Sequence, residues 1–319
     1  MSSRRLLAAR HFPRPAIRPS PSPRRAFSMS DPINRNPHPD FKKVEASRPP
    51  WNEASAFRFT RTVDPDWAFG DGANRLHRQP AGSTRREHVA IDPYADGRPD
   101  AFNYKLLISA VVPRPIAFLS TRGADGRGAN LAPFSYFNVV CHDPPLFVVG
   151  FSCAAEGAAV KDSLRNLVET REAVVNVIGE PFVEAANATS IDAPYGASEW
   201  AVSGLTPVHD CQTVKCARVA EAVFSVEVRL DSVKEYQSRA RPGTTSGTVV
   251  VLEGTRFWVR QDALNEDQNL VDPAILRPIS RLGGITYGRT TEAIELQRPK
   301  FKQDLGGQEG LDKLQDAKR

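Results

Sequence analysis

The spacing of apolar residues predicts a series of β-strands between about residue 102 and residue 299. In the stretch 224–230, "FSVEVRL", apolar and polar side chains alternate, which is the period of a strand with one buried face. Residues 145–152, "PLFVVGFS", and 172–178, "EAVVNVI", are continuous apolar runs typical of buried strands. With the remaining strand-like segments, the pattern predicts about six or seven strands at the spacing of a barrel or a sandwich.

Residues 116 to 140 carry the signature of a β-hairpin. Asp125-Gly126 is a strong turn signal, and the strand-like segment "NLAPFSYFNVV" begins four residues later at Asn130. Proline has no N–H for a strand ladder, so Pro133 predicts an edge position and a bend in the returning strand. The next residues, "CHDPP", predict a turn into the strand at 145–152.

One short helix is predicted between two of the strands. In "KDSLRNLVETR", residues 161–171, Leu164, Leu167 and Val168 have helical spacing, and Asp162 or Ser163 is a natural N-cap. Helices do not alternate regularly with strands elsewhere, which disfavours a doubly wound α/β sheet. The fold class is therefore mainly β with short helices.

The positive charge is concentrated at the N-terminus. The formal net charge is +5, but residues 1–30 hold seven arginines and no acidic residue, which leaves 35 basic against 37 acidic residues. Such a leader is typical of a mitochondrial transit peptide, so we expect import into the matrix, with a cytoplasmic location as the alternative. Because the rest of the chain is slightly acidic, nucleic-acid binding is not expected.

The remaining chain divides into three parts. Residues 31–100 form a Pro/Arg-rich extension with aromatic islands, residues 101–299 form the β-rich domain, and residues 300–319 form a polar tail. No apolar run reaches the 18 or more residues that a membrane helix needs, so no membrane association is expected.

Several common active sites have no counterpart in the sequence. There is no GxGxxG, GxxxxGK[ST] or GxSxG motif, the six histidines are scattered, and the four cysteines form no CxxC pair, so no metal site is predicted.

What remains is an anion-binding pattern at 161–163. A phosphate could be held there by Lys161, the Ser163 hydroxyl and the free N–H groups of a helix start. An ordinary helix start beside a solvated lysine would give the same sequence pattern.

An ordered set of segments resembles the flavin reductase-like family with an FMN-binding split barrel. These segments are "AVVPRPIAFLST", "NLAPFSYFNVV" followed by "DPPLFVVGFS", "KDSLRNLVETREAVVNV", "SGLTPV", "VAEAVFSVEVRL" and "RLGGITYGR", between residues 104 and 299. The resemblance implies a six-stranded Greek-key barrel with short flanking helices. It also implies a homodimer that holds FMN in a groove at the dimer interface.

By motif, the resemblance assigns three groups of residues to the cofactor. Arg114, Pro115, Ile116, Ser120 and Thr121 would border the flavin. The isoalloxazine and ribityl chain would be lined by Asn130, Ala132, Pro133, Phe134, Ser135 and Tyr136. The phosphate would be surrounded by Ser152, Lys161, Asp162, Ser163 and Asn166; Ser163 stands where such proteins usually have threonine.

The resemblance further implies an oxidoreductase that takes hydride from NAD(P)H and passes electrons to flavin, oxygen or another small-molecule acceptor. Because the cofactor performs the electron chemistry, no dedicated acid–base residue is expected. Arg281 and Tyr287 could reach the site or serve the fold, and His142 fits a turn residue better than a site residue. The alternative function is a flavin carrier that binds FMN without turnover.

Overall fold

The computed structural model describes residues 40–77 and 87–317. The predicted import leader, residues 1–30, lies outside the described residues, as do parts of the predicted extension. The division into an extension, a β-rich domain and a tail stays a prediction.

Thirteen strands and seven α-helices are present in the described part of the chain. The strands are β1 (Arg58–Thr60), β2 (Ala117–Thr121), β3 (Asn130–Phe134), β4 (Phe137–His142), β5 (Pro145–Phe151), β6 (Glu172–Val177), β7 (Pro207–Val208), β8 (Arg218–Val219), β9 (Phe224–Gln237), β10 (Thr245–Val259), β11 (Ile279–Gly283), β12 (Thr286–Arg289) and β13 (Glu292–Ile294). The helices are α1 (Phe41–Ala46), α2 (Asp100–Ala110), α3 (Asp162–Thr170), α4 (Val183–Ala188), α5 (Glu199–Ser203), α6 (Pro273–Leu276) and α7 (Gly307–Asp316).

The main sheet closes into a six-stranded barrel through one bent segment. Its antiparallel order is β3-β2-β6-β9-β10-β5-β4, and the two outer strands, β3 and β4, are consecutive in the chain. They are joined by Ser135 and Tyr136, and the Tyr136 carbonyl accepts a 2.7 Å hydrogen bond from the Gly150 N–H of β5. Residues 130–142 therefore act as one strand that pairs with β2 at its start and with β5 at its end, which confirms the predicted barrel.

The bend in this segment lies two residues after the predicted position. Pro133 continues β3 opposite Phe118, and the strand breaks at Ser135 and Tyr136 instead. Because β3 has a neighbouring strand on one side only, a residue without an N–H is tolerated inside it. The predicted hairpin of β2 and β3 and the turn from β4 into β5 are both present.

The barrel interior is apolar and is closed at one end by α3. Leu119, Val149, Val228 and Val250 point into this core, and Leu164 of α3 packs against it. A second cluster covers the outer face of β2, where Phe118 packs with residues of α4 and α5. The outer face of β9 is covered as well, so Ser225 and Glu227 are buried and the predicted strand with one buried face has two. Sequence alternation could not show this, because Glu227 is hydrogen-bonded by a covering loop and Ser225 by Asn176 of β6.

The N-terminal extension is anchored to the barrel domain. Strand β1 pairs in parallel with β13. Arg289 stacks over the ring of Trp51 at 4.0 Å and donates to the carbonyl of Asn52 at 3.2 Å. The buried Glu180 carboxylate accepts hydrogen bonds from both Arg289 and Arg277. Glu180 thereby fixes the position of Arg289, which contacts the extension. The polar tail contains α7, whose Leu314 lies beside Gly70 of the extension.

Glu180→Gln is expected to loosen the extension from the barrel. Burial alone would raise the pKa of Glu180, but hydrogen bonds from Arg289 and Arg277 lower it, so this carboxyl is charged at neutral pH. The neutral variant loses the ion pairs and should be cleaved faster by trypsin within residues 40–61. Asp262→Asn, which removes an exposed ion pair to Arg260 elsewhere, is the control. Equal cleavage of both variants and the parent protein would contradict the anchoring role.

Candidate functional site

A cleft runs along β3, from the start of α3 to the hairpin of β11 and β12. Its largest part has a volume of about 590 Å³ and lies between α3 and the loop 189–195. Two smaller parts, about 200 and 90 Å³, continue from it past Pro133 towards α2 and Arg281. The three parts share lining residues, and together they are called the β3 cleft below.

Twelve of the sixteen predicted cofactor residues line the β3 cleft. They are Arg114, Ile116, Asn130, Ala132, Pro133, Phe134, Ser135, Tyr136, Ser152, Lys161, Asp162 and Ser163. The other four do not line it. Pro115 is exposed, Ser120 and Thr121 line a different cavity, and the buried Asn166 donates to the Thr121 hydroxyl and the Gly128 carbonyl.

The end of the cleft at α3 is built to attract an anion. The N-cap is Lys161, not Asp162 or Ser163 as the sequence suggested, and no side chain caps the helix. The first N–H groups of a helix have no partner within it and carry the positive end of its dipole. Lys161 is exposed and forms no ion pair among the described residues. A phosphate is the kind of ligand that such a helix start accepts.

Arg165 adds a second cation that the sequence did not single out. It lines the cleft one turn after Asp162, its guanidinium stacks over the ring of Tyr195 at 4.4 Å, and its buried Nε has no hydrogen-bond partner. Burial raises the pKa of Asp162, while Arg165 and Lys161 oppose that shift. The i, i+3 spacing of Asp162 and Arg165 on one helix face was the signal that could have found it.

The Ser163 hydroxyl holds α3 to β3. It donates to the Asn130 side-chain oxygen at 2.5 Å, and the Asn130 amide donates to the buried carboxylate of Glu199 at 2.9 Å. The backbone N–H of Leu131 donates to the same carboxylate at 3.2 Å. Ser163 can therefore offer its backbone N–H to a ligand, while its hydroxyl is used in this network. The sequence did not mark Glu199, because its partners lie almost 70 positions away.

The opposite end of the cleft presents two arginines. Arg114 is 8% exposed, its Nη1 donates to two carbonyls of the α2 region at 2.6 Å, and its buried Nε has no partner. The backbones of Arg114 and Arg281 pair with each other, and Arg281 stacks over Tyr287 at 4.3 Å. Gly283 allows this close approach, because a Cβ at its φ of +99° would lie 2.8 Å from the Ile108 carbonyl oxygen. The structure thus brings Arg281 and Tyr287 to the cleft.

Two tyrosines at this end have perturbed acidities. Burial raises the pKa of Tyr136, the neighbouring Tyr104 raises it further, and Arg114 opposes the shift. Burial also raises the pKa of Tyr287, against an opposing effect of Arg281. Both phenols are therefore neutral at physiological pH. His142 ends β4 opposite Pro145 and is exposed outside the cleft, as expected of a turn residue.

Comparison with known proteins identifies the family. The model of the flavin reductase like domain matches residues 109–276, which is more than half of the chain. The chain belongs to the flavin reductase-like family. The match contains all sixteen predicted cofactor residues, whereas Arg281, Tyr287 and the N-terminal extension lie outside it.

Relatives of this flavin reductase-like protein include uncharacterized proteins from Halalkalibacterium halodurans, 36% identical over 202 residues, and Bacillus subtilis, 33% identical over 196 residues. The matches span 63% and 61% of this chain and 93% of each relative. A similar solved structure is nitrilotriacetate monooxygenase component B from Bacillus cereus, with 30% identity, a TM-score of 0.61, and coverage of 66% of this chain and 100% of that chain. Another is the 2-nitrobenzoate 2-nitroreductase NbaA of Pseudomonas fluorescens, with 28% identity, a TM-score of 0.57, and coverage of 67% and 98%. Family and neighbours give the chain a flavin-related oxidoreductase role.

Two further features complete the description of the site. Among residues 40–77 and 87–317, no group of histidine, cysteine, aspartate and glutamate side chains could hold a metal ion. Within the same ranges, no helix combines the length and the apolar character that crossing a bilayer requires.

Proposed function

We propose that this flavin reductase-like protein binds FMN in the β3 cleft and oxidises NAD(P)H, with a small organic molecule, free flavin or oxygen as electron acceptor. The observation that carries the proposal is the distribution of charge in one continuous cleft. The helix start with Lys161 and Arg165 borders the large part of the cleft, and Arg114 and Arg281 border a smaller part that Lys161 also lines. The apolar residues Pro133 and Phe134 of β3 line both parts. FMN has a matching order of dianionic phosphate, ribityl chain and ring.

The α3 end suits the phosphate. Lys161 and Arg165 would supply charge-assisted hydrogen bonds, and the N–H groups of Asp162 and Ser163 would supply the donors of the helix start. The unpartnered Nε of Arg165 supports this assignment, because a buried donor without an acceptor is costly unless a ligand satisfies it.

The other end suits the ring. Pro133 and Phe134 offer apolar contact to its faces, and the break at Ser135 and Tyr136 leaves backbone groups outside the strand ladder. The unpartnered Arg114 Nε offers a donor and a positive charge at the end of the cleft. A cation there would stabilise the negative charge that the ring gains on reduction.

When bound, FMN supplies the electron carrier between the nicotinamide and the acceptor. The chain's own residues bind and orient it, and the cleft offers no histidine or cysteine that would act as a dedicated acid or base. A small organic acceptor is supported by the similarity to a nitrobenzoate reductase and to a monooxygenase component. The nearby phenol of Tyr136, which is neutral, can donate a hydrogen bond to such an acceptor.

A homodimer and import into the mitochondrial matrix complete the proposal. Val139 and Val140, neighbours on β4, are more than half exposed, and exposed apolar side chains side by side are typical of a protein interface. Import is supported by the arginine-rich leader alone. Light scattering should give twice the chain mass, and mass spectrometry of the mature protein should give an N-terminus near Ser28.

The central test is the visible absorbance of the purified protein. The protein should be yellow or should become so with added FMN, and anaerobic NADH or NADPH should bleach the bound flavin. Bleaching distinguishes a turnover enzyme from the alternative, a flavin carrier that stays oxidised with both nucleotides. A colourless protein that takes up no FMN would contradict both functions.

A further inference from the structure

A second cavity lies on the outer side of β2, away from the β3 cleft. Its volume is about 330 Å³, and it lies between the end of β2 and the segment 198–217. Side chains alternate along a strand, so Leu119 points into the barrel core while Ser120 and Arg122 point towards this outer space. It is called the rear cavity below.

One hydrogen-bond donor at the rear cavity is buried without an acceptor. Within the described ranges, the Arg122 Nε has no hydrogen-bond partner. Ser120 and Trp200 line the same space and add a hydroxyl and an indole N–H. A buried arginine donor without an acceptor indicates a ligand that brings one, since buried donors are normally satisfied.

The charge of the rear cavity has one sign. Arg122 and Lys215 line it, and none of the described residues that line it carries a carboxylate. Acidic residues that adjoin the lining in sequence have other partners: Asp210 pairs with Arg218, and Glu199 accepts from Asn130. The ligand that fits is therefore an anion.

The remaining lining is apolar and includes an aromatic ring. Trp200, Pro207 and Ala217 are among the apolar residues that line the rear cavity. A volume of this size holds a single ring with a short substituent and is at the lower limit of typical ligand sites. Tryptophan offers such a ring a stacking surface.

From these features we propose that the rear cavity is a binding site for a small aromatic carboxylate, separate from the β3 cleft. The carboxylate accepts from Arg122 and Ser120, and the ring packs against Trp200. Thr121 of β2 lines the rear cavity, and it hydrogen bonds to Asn130 of β3, which lines the cleft. The two sites are therefore neighbours in the sheet, but each binds its own ligand.

Benzoate is the probe and benzamide is its neutral counterpart. The full chain, with and without FMN, is titrated with each by calorimetry and by saturation-transfer NMR. We expect benzoate to bind in both forms and benzamide to bind at least about tenfold more weakly, because Arg122 forms charge-assisted bonds only with the anion. Arg122→Gln should weaken benzoate binding by about tenfold or more, and FMN affinity should not change.

The controls separate this site from the cleft and from a folding defect. Lys215→Gln changes an exposed residue, so the fold is retained, and it should weaken benzoate binding severalfold. Lys234→Gln makes the same change on β9 outside the cavity and should have no effect. The proposal is overturned if benzoate does not bind, if benzamide binds equally well, or if Arg122→Gln and Lys215→Gln both bind benzoate normally. It is also overturned if Lys161→Ala, a cleft variant, weakens benzoate binding.

Discussion

Replacing Lys161 and Arg165 together by alanine is expected to weaken FMN binding by about 2 to 4 kcal/mol, or about 30- to 900-fold. Both cations lie at the start of α3, and neither forms an ion pair within the described part of the chain. Their removal leaves only uncharged donors for the phosphate among the described lining residues, chiefly the N–H groups of the helix start. Riboflavin, which has no phosphate, should bind the variant and the parent protein with similar affinity.

Fluorescence titration with FMN and with riboflavin measures this difference. The matched control is Lys234→Ala with Arg256→Ala, which removes the same two charges from exposed positions outside the cleft. Equal loss of affinity for FMN and riboflavin would show a general disturbance of the site. Unchanged FMN affinity would place the phosphate elsewhere.

Replacing Glu227 by glutamine is expected to lower the free energy of unfolding by about 3 to 5 kcal/mol. Glu227 is 0% exposed, and its carboxylate accepts from the backbone N–H groups of Gln212 and Thr213, the Thr213 hydroxyl and the indole of Trp258, at 2.5 to 3.1 Å. It thereby fixes the loop 209–217 to the outer face of β9. Glutamine keeps one acceptor oxygen and places an NH₂ group among donors, so at least two of these bonds are lost.

The same carboxylate makes stability depend on pH. Burial alone would raise the pKa of Glu227, but the hydrogen bonds from Thr213, Gln212 and Trp258 lower it from 4.5 to about 2. A lowered native pKa stabilises the fold at pH values above the unfolded pKa. This contribution, about 3 kcal/mol, is fully present above pH 4.5 and is lost as the pH falls towards 2.

Urea unfolding at pH 7 and at lower pH tests both statements. The difference in unfolding free energy between the parent protein and Glu227→Gln should shrink as the pH falls below 4.5. Glu253→Gln, an exposed change on the neighbouring strand β10, should leave stability within about 0.5 kcal/mol. A Glu227→Gln protein as stable as the parent at pH 7 would contradict the anchoring of the loop.

Local patterns predicted a β-rich domain with the strand spacing of a barrel or a sandwich, whereas the split barrel and most of the cleft residues were implied by the family resemblance. The strands at 145–152 and 172–178 and the helix after Lys161 were readable because their signals are continuous in sequence. The position of the bend was not readable, because it depends on which side of β3 has a neighbour. That is a property of the closed sheet rather than of the segment itself.

Features that depend on residues far apart in the chain could not be predicted from the sequence. Glu199 carries no local signal of its role, since its partners are brought near by folding, and Arg165 is marked only by its i, i+3 spacing from Asp162. The alternation in β9 predicted Glu227 at the surface, and a loop that begins 18 positions earlier buries it. Polar residues with partners across the fold are therefore where sequence patterns and structure diverge.

The bent segment 130–142 is both the last strand of the barrel and the wall of the cleft. A ligand that contacts Pro133 and Phe134 therefore also secures the junction through which the sheet closes. By mass action, such a ligand draws the opening equilibrium of the barrel towards the closed state. Resistance to denaturation therefore reports the fraction of the protein that has ligand bound. A mutation that detaches β3 or β4 from the sheet should weaken ligand binding even where the mutated residue makes no contact with the ligand.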